Sequence, residues 1–363
     1  MSTLSAEGQT YILYGMTCVI IVVSILYYVY LQRLPTSECN RFDNIYGGLS
    51  TQITSISPDL AEFKYTLKDY YIKSAYNCCS GGNYRNDFVS LCVLKTLLKQ
   101  GVRGLDMEIF SINDQPIVAT SMSSDYHVKE TFNEIAFSTI LKTIAMNGFA
   151  SSTSPNFLDP ILLHLRFKSA NQAMYKNLAR ILEEYTNTIL LGKEYSYEYG
   201  GKNLGDVPLL DLRGKVVVIV DRSDLSFLNC DEFYEYVNMT SSSVYMRALP
   251  FKEIKNAVSV TQMIDYNKQN MTIAYPDALS NPPNPSPLVL RETGCQLWAM
   301  RYSLNDAYQA ENDAFFGENG YAFVLKPDHL RYIPVTIDQP APQNPELSYA
   351  TREVSSDYYK FAI

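Results

Sequence analysis

Histidine is scarce in this chain: among 363 residues there are three, His127, His164 and His329, and tryptophan occurs once. So few imidazoles leave little room for catalysis or metal binding that depends on them. Clusters of positive charge are missing as well. With Lys+Arg 30 against Asp+Glu 38, a net charge of -8 and a pI near 5.1, no basic run is available to meet phosphates, which excludes a nucleic-acid partner. The seven cysteines, Cys18, Cys39, Cys78, Cys79, Cys92, Cys230 and Cys295, are odd in number and show no CxxC metal spacing, so they leave the compartment open. Adjacent Cys78 and Cys79 read as two small buried hydrophobes. No Gly-rich phosphate loop follows any strand-like run, which counts against a nucleotide-binding Rossmann unit.

What the chain has in quantity is apolar and aromatic surface: 47% hydrophobic residues and 29 tyrosines, enough for one large single-core domain or two ordinary ones. Between Glu7 and Arg33 no charge interrupts "GQTYILYGMTCVIIVVSILYYVYLQ". After a short N-terminal tail (1–10), residues 11–32 therefore predict a transmembrane helix, with Tyr11 and Tyr14 at one end and Tyr27, Tyr28 and Tyr30 at the other in the interfacial positions such rings prefer. A cleaved signal peptide would need a basic start, a shorter apolar run and a small-residue cleavage site, none of which is present. Arg33 and Arg41 on the C-terminal side place the remainder of the chain on the cytoplasmic side by the positive-inside rule. The sequons at Asn238 and Asn270 would matter only in the opposite orientation.

Residues 33–62 are polar and turn-rich and read as a stalk. From there helical patterns alternate with apolar strand patterns. "FVSLCVLKTLLKQG" leads through Gly101 to "VRGLDMEIF", "FNEIAFSTILKTIAMNGF" leads to "PILLHLRF", and "SANQAMYKNLARILEEYTNTIL" leads to "GKVVVIVD". Near-continuous apolar strands separated by amphipathic helices imply an α/β fold with a parallel sheet covered by helices, an α/β barrel or a doubly wound sheet, and the missing phosphate loop favours a barrel over residues 63–330. It divides into halves at 65–221 and 250–330, joined by an acidic, serine-rich connector at 222–249. The proline-rich tail at 331–363 is too short for another domain and is expected to wrap the barrel or dock a partner.

The order of these segments resembles eukaryotic-type phosphoinositide-specific phospholipase C. The X half of that family is matched by "YIKSAYNCCSGG", "LLKQGVRGLDMEIF", "PIVATS", "DPILLHLRF" and "LDLRGKVVVIVD". The Y half is the more specific match, with Tyr275-Pro276, Gly294-Cys295-Gln296, Asn319-Gly320 and Leu325-Lys326-Pro327 in family order. The resemblance covers roughly residues 65 to 327 and implies a distorted TIM-type (β/α) barrel with its site at the C-terminal ends of the strands.

The chemistry implied by the resemblance needs two histidines, one to stabilise charge on phosphorus and one as general acid and base. Tyr76, in Ala75-Tyr76-Asn77, stands where the first belongs, and Thr120 stands where the second belongs. Neither replaces imidazole near neutral pH. Of the calcium ligands the family implies, Asn77 is kept and the strand pair is present as Asp106 and Glu108, but the last position reads Arg166, a cation where a carboxylate should be. Arg166 is expected to replace calcium by pairing with Asp106 and Glu108. Head-group contacts thin out too: basic positions read Ile219, Asp221 and Ile273, leaving Tyr275 to stack on an inositol ring.

The resemblance therefore implies a membrane-anchored phospholipase C-like pseudoenzyme. It would have no working catalytic site and no cofactor, and would act as a structural or interaction protein with protein partners or a lipid ligand at a membrane. The inner membrane of a large DNA virus is one such setting, as a virion protein. The alternative is an active, calcium-using phosphatidylinositol phosphodiesterase with a relocated site, for which His164, sharing strand parity with Arg166, and His127 are the available imidazoles.

Overall fold

The computed structural model describes residues 6–122, 128–279, 281–334 and 349–363. The chain divides at Tyr332 into two units. Helix α1 (Ala6–Tyr46) opens the first and is long and apolar enough to cross a membrane, its aliphatic and tyrosine side chains from Tyr11 to Tyr30 exposed. Where the sequence suggests a turn-rich stalk from residue 33, α1 continues through Pro35 to Tyr46. Tertiary packing sustains those last turns. Phe42 and Tyr46 are buried against the barrel, and Cys39 is disulfide-bonded to Cys92.

The strands are β1 (Tyr70–Ala75), β2 (Gly104–Ile112), β3 (Gln115–Ala119), β4 (Ile135–Ala136), β5 (Ile161–Phe167), β6 (Val216–Asp221), β7 (Met239–Ser241), β8 (Met246–Pro250), β9 (Met271–Tyr275), β10 (Leu297–Met300) and β11 (Phe323–Leu325). Eight of them pair in parallel in the order β7-β6-β5-β2-β1-β10-β9-β8, a nearly closed TIM-like barrel. β3 and β11 add on antiparallel, to β2 and β1. Two strands arise where the sequence reading has only a connector: β7 and most of β8 lie within residues 222–249. At 3 and 5 residues they carry too little alternation to register.

Helices α2 (Leu91–Lys99), α3 (Phe137–Gly148) and α4 (Gln172–Glu183) cover the X half. α2 starts at Ser90, whose hydroxyl accepts from the Cys92 amide, and buries Val93, Leu94, Leu97 and Leu98 along one face. It ends at Gly101, whose φ of +74° suits glycine.

Strand parity sorts the core. Leu163 and Leu165 on β5, Val216, Val218 and Val220 on β6, and Leu105 and Met107 on β2 belong to the core shared with α2, α3 and α4. The alternate residues Leu162, Val217, Ile219, Ile273 and Trp298 share a second core. The close approach of β1 to β2 depends on Gly104, where a Cβ would stand 2.1 Å from Ser74 Oγ. In the second unit, β12 (Glu353–Ser355) and β13 (Lys360–Ala362) form an antiparallel hairpin.

Candidate functional site

The same parity that fills the barrel with Leu162 and Val217 carries charge at its mouth. Glu108 on β2 pairs in register with Arg166 on β5, and Asp106 pairs with His164. Asp221 closes β6 opposite Ser241 on β7. Alternation places Asp106 and Glu108, or His164 and Arg166, on one face of their strands.

Arg166 is the hub of the site. Its Nε donates to Asp106 Oδ1 at 2.9 Å and its Nη1 to Glu108 Oε1 at 2.8 Å, while Nη2 donates to both Asp106 Oδ2 and Asn77 Oδ1 at 2.8 Å. The Tyr76 ring lies 4.6 Å from the guanidinium carbon. Asn77 reaches this position from a left-handed turn after β1, at φ 44°, with its own amide donating to Asp106 Oδ2 at 3.1 Å. Burial alone would raise the Asp106 carboxyl, but Arg166 and His164 hold it well below the usual carboxylate range. Glu108 goes the other way: burial raises it in spite of Arg166. The donor sets explain the contrast. Asp106 accepts from Arg166, His164 and the Asn77 amide; Glu108 accepts from Arg166 and the Ser121 amide.

One layer deeper, His164 is held at both nitrogens. Nδ1 donates to Asp106 Oδ1 at 2.7 Å and Nε2 meets Ser241 Oγ at 2.8 Å. Ser241 and Ser242 both donate to Asp221 Oδ1, and Ser223 donates to Oδ2. Burial would raise Asp221, but His164 and these hydroxyls hold it below its usual value. Sequence reasoning missed Ser241; its only signal was the serine run Ser241-Ser242-Ser243, read as connector composition.

The remaining expected residues spread around this hub. Tyr76 stacks on Tyr275 at 5.6 Å and 10°, so one face of the ring expected to meet a ligand is already covered. Burial pushes the Tyr76 phenol above its usual value and Tyr275 up to about 12, so both are neutral hydroxyls near pH 7. Thr120 is buried and donates to the Tyr84 carbonyl at 2.9 Å. Ile219 and Ile273 are buried in the core, and His127 lies outside the described residues. Above the hub opens a cavity of 860 Å³, bounded by Tyr76, Glu108, Arg166, Asp221 and Tyr275.

These residues do not fit a divalent cation. Asn77, Asp106 and Glu108, which would bind it, each give a side-chain oxygen to a guanidinium that shares their site. Among the described residues there is no cluster of three or more metal-ligating side chains.

Solved structures place this architecture. The PLC21 proteins of S. officinalis and L. pealei are similar at TM-scores of 0.61 and 0.60, with 21% and 19% identity over 76% and 74% of this chain. The chain spans about two fifths of their length, 39% and 38%. A calcium-dependent phosphoinositol-specific phospholipase C from Pseudomonas sp is similar at a TM-score of 0.42 and 13% identity, over 75% of this chain and 100% of that one. No curated protein sequence matches the chain. The phosphatidylinositol-specific phospholipase C X domain matches residues 63–222 and the Y domain residues 223–329, and with both halves of the barrel accounted for, the chain belongs to the phosphatidylinositol-specific phospholipase C family.

Proposed function

We propose that this chain is a membrane-anchored phospholipase C barrel that does not hydrolyse phosphodiesters and serves as a binding or interaction module at the bilayer. The observation that carries the reading is the Arg166 hub. One guanidinium takes acceptors on Asn77, Asp106 and Glu108 together, and Tyr76 lies against it where the chemistry needs an imidazole. A phenol pushed above its usual value and the buried hydroxyl of Thr120 supply neither a general base nor an acid near pH 7. α1 supplies the anchor in this reading. The Cys39–Cys92 disulfide favours an oxidising side of the membrane for the barrel, in place of the cytoplasmic side suggested by Arg33 and Arg41.

A second reading, a phosphodiesterase working through His164, draws on the His164–Asp106 pair at 2.7 Å, which has the spacing of a base and its orienting group. Against it, His164 is 1% exposed and lies beneath Arg166.

The test is release of inositol phosphate from phosphatidylinositol vesicles by the full chain, with and without calcium, beside a Tyr76→His, Thr120→His, Arg166→Glu variant. Each restored acid–base group is worth roughly 10²–10⁴-fold. The expected outcome is background release by the native chain and calcium-dependent release by the variant. Turnover by the native chain that His164→Gln abolishes would establish the second reading.

A further inference from the structure

The end of α1 fixes which way the barrel faces. Cys39 is bonded to Cys92 near the start of α2, while the Tyr46 carbonyl accepts from Gln100 Nε2 at 2.7 Å and the Ser50 amide donates to the Lys99 carbonyl at 2.9 Å, both at the end of α2. The two helices therefore run parallel. α2 starts beyond the C-terminal end of β1 and leads back to the N-terminal end of β2, so its first turn is at the barrel mouth and its last at the base. Followed backwards from Cys39, α1 leaves the barrel on the mouth side, and the apolar run ending at Arg33 begins about 9 Å further on, at about 1.5 Å per residue. A bilayer spanned by this helix lies in front of the cavity.

The cavity wall then says what it can take from that bilayer. Its charge is mixed and leans acidic: Asp221, Asp224 and Asp277 stand with Tyr76, Tyr84 and Tyr275, and Lys168 and Lys252 are on the same wall. The guanidinium that could hold a ring phosphate is spent on Asn77, Asp106 and Glu108. Tyr84 is 3% exposed, and its hydroxyl has no hydrogen-bond partner among the described residues. Leu225 and Leu279, each 54% exposed, stand at the same opening. The Tyr76 ring already meets the Arg166 guanidinium at 4.6 Å and the Tyr84 ring the Arg301 guanidinium at 5.2 Å, so the attraction for an organic ammonium group falls to Tyr275 beside the carboxylates, and the lysines suit a phosphodiester. A head group with several phosphates would bring more negative charge against Asp221, Asp224 and Asp277 than the two lysines balance.

We infer that the cavity binds the zwitterionic head group, a phosphodiester bearing an ammonium, of a phospholipid in the membrane that α1 spans. This rests on the proposed anchored, non-hydrolytic reading and deepens it. The ammonium sits against Tyr275 and the Asp224–Asp277 side, the phosphodiester reaches Lys252, and the acyl chains pass Leu225 and Leu279 to the bilayer.

The experiment uses the full chain in maltoside micelles, which carry no head group of this kind. Glycerophosphocholine, glycerophosphoinositol, inositol trisphosphate and dihexanoylphosphatidylcholine below its micelle threshold are titrated against thermal unfolding. Glycerophosphocholine at about a hundredfold excess over its Kd should raise Tm by about 5 °C. The two inositol compounds should bind at least about tenfold more weakly, which is about 1.4 kcal/mol. The diacyl compound should bind more tightly than glycerophosphocholine, since a free phosphodiester as the natural ligand would gain nothing from Leu225 and Leu279. The Asp224→Asn, Asp277→Asn double variant keeps the side-chain oxygens that accept from the Ser226 and Lys252 amides, and should bind glycerophosphocholine about tenfold more weakly. No Tm rise, a preference for the inositol compounds, or equal binding with and without acyl chains would overturn the inference. Release of phosphocholine during the titration would instead overturn the non-hydrolytic reading and leave the head-group assignment standing.

Discussion

At the scale of single residues, the site is governed by one cation fixed to the chain, which in the proposed reading stands in place of a bound one. A buried charge is tolerated only when it is paired and hydrogen-bonded, and Arg166 achieves this with two carboxylates and an amide oxygen. Removing it leaves buried Asp106 and Glu108 without the guanidinium they share. Arg166→Ala should therefore cost about 3–5 kcal/mol in denaturant unfolding. Arg166→Lys should recover only part of this, because an ammonium cannot reproduce the fork. The pH dependence has a definite sign. The Asp106 pKa in the folded chain lies below its ordinary 3.8, so its contribution is complete above that value and is lost as pH falls through the depressed one. In Arg166→Ala the Asp106 pKa rises, and the acid limb of the stability profile should move to higher pH. An unchanged limb would mean that His164 and the Asn77 amide alone hold Asp106 down.

At the scale of elements, the joint between α1 and α2 decides whether the helix is a tether or a strut. The disulfide closes a loop between residues 53 apart, and alongside it Phe42 is buried and the Tyr46 hydroxyl donates to the Tyr302 carbonyl at 3.2 Å. A loop of that length confers on the order of 4 kcal/mol in the chain-entropy picture. Cys39→Ser should lose about 2–4 kcal/mol of stability, and reductant should lower the native Tm toward that of the variant without affecting the variant itself; a native Tm indifferent to reductant would show the bridge to be dispensable. This joint was not legible in the sequence. Cys39 and Cys92 are two of seven cysteines at an uninformative spacing, and the polar composition around Cys39 hides a helix that exists because Phe42 and Tyr46 have a surface to cover. The longer strands and helices of the X half were legible, since "PILLHLRF" and "KVVVIVD" are apolar runs bounded by helical patterns. β7 and β8 were not, being too short to carry a period.

For the whole molecule, the two strongest sequence signals are the apolar run and the barrel halves, and what neither contains is their relation. Strand parity put Asp106, Glu108, His164 and Arg166 on common faces, so the hub could be anticipated. The Ser241–Asp221 support beneath it depends on a parallel register between β6 and β7 that no local pattern encodes. The membrane side is a similar case. If α1 is the proposed anchor, two arginines after the apolar run favour the cytoplasm, whereas a disulfide between α1 and the barrel needs an oxidising compartment to persist. A covalent bond is the firmer constraint, because the charge bias here rests on Arg33 and Arg41 alone. In sealed vesicles carrying the full chain in its native orientation, added protease should leave the barrel intact until detergent opens the membrane, and thiol titration before reduction should find Cys39 and Cys92 blocked. A barrel digested in sealed vesicles, with both thiols free, would return it to the cytoplasmic side. The parallel docking of α1 on α2 would still aim the mouth at the bilayer proposed for α1, since Tyr46 and Ser50 hold the end of the helix by bonds that do not depend on the disulfide.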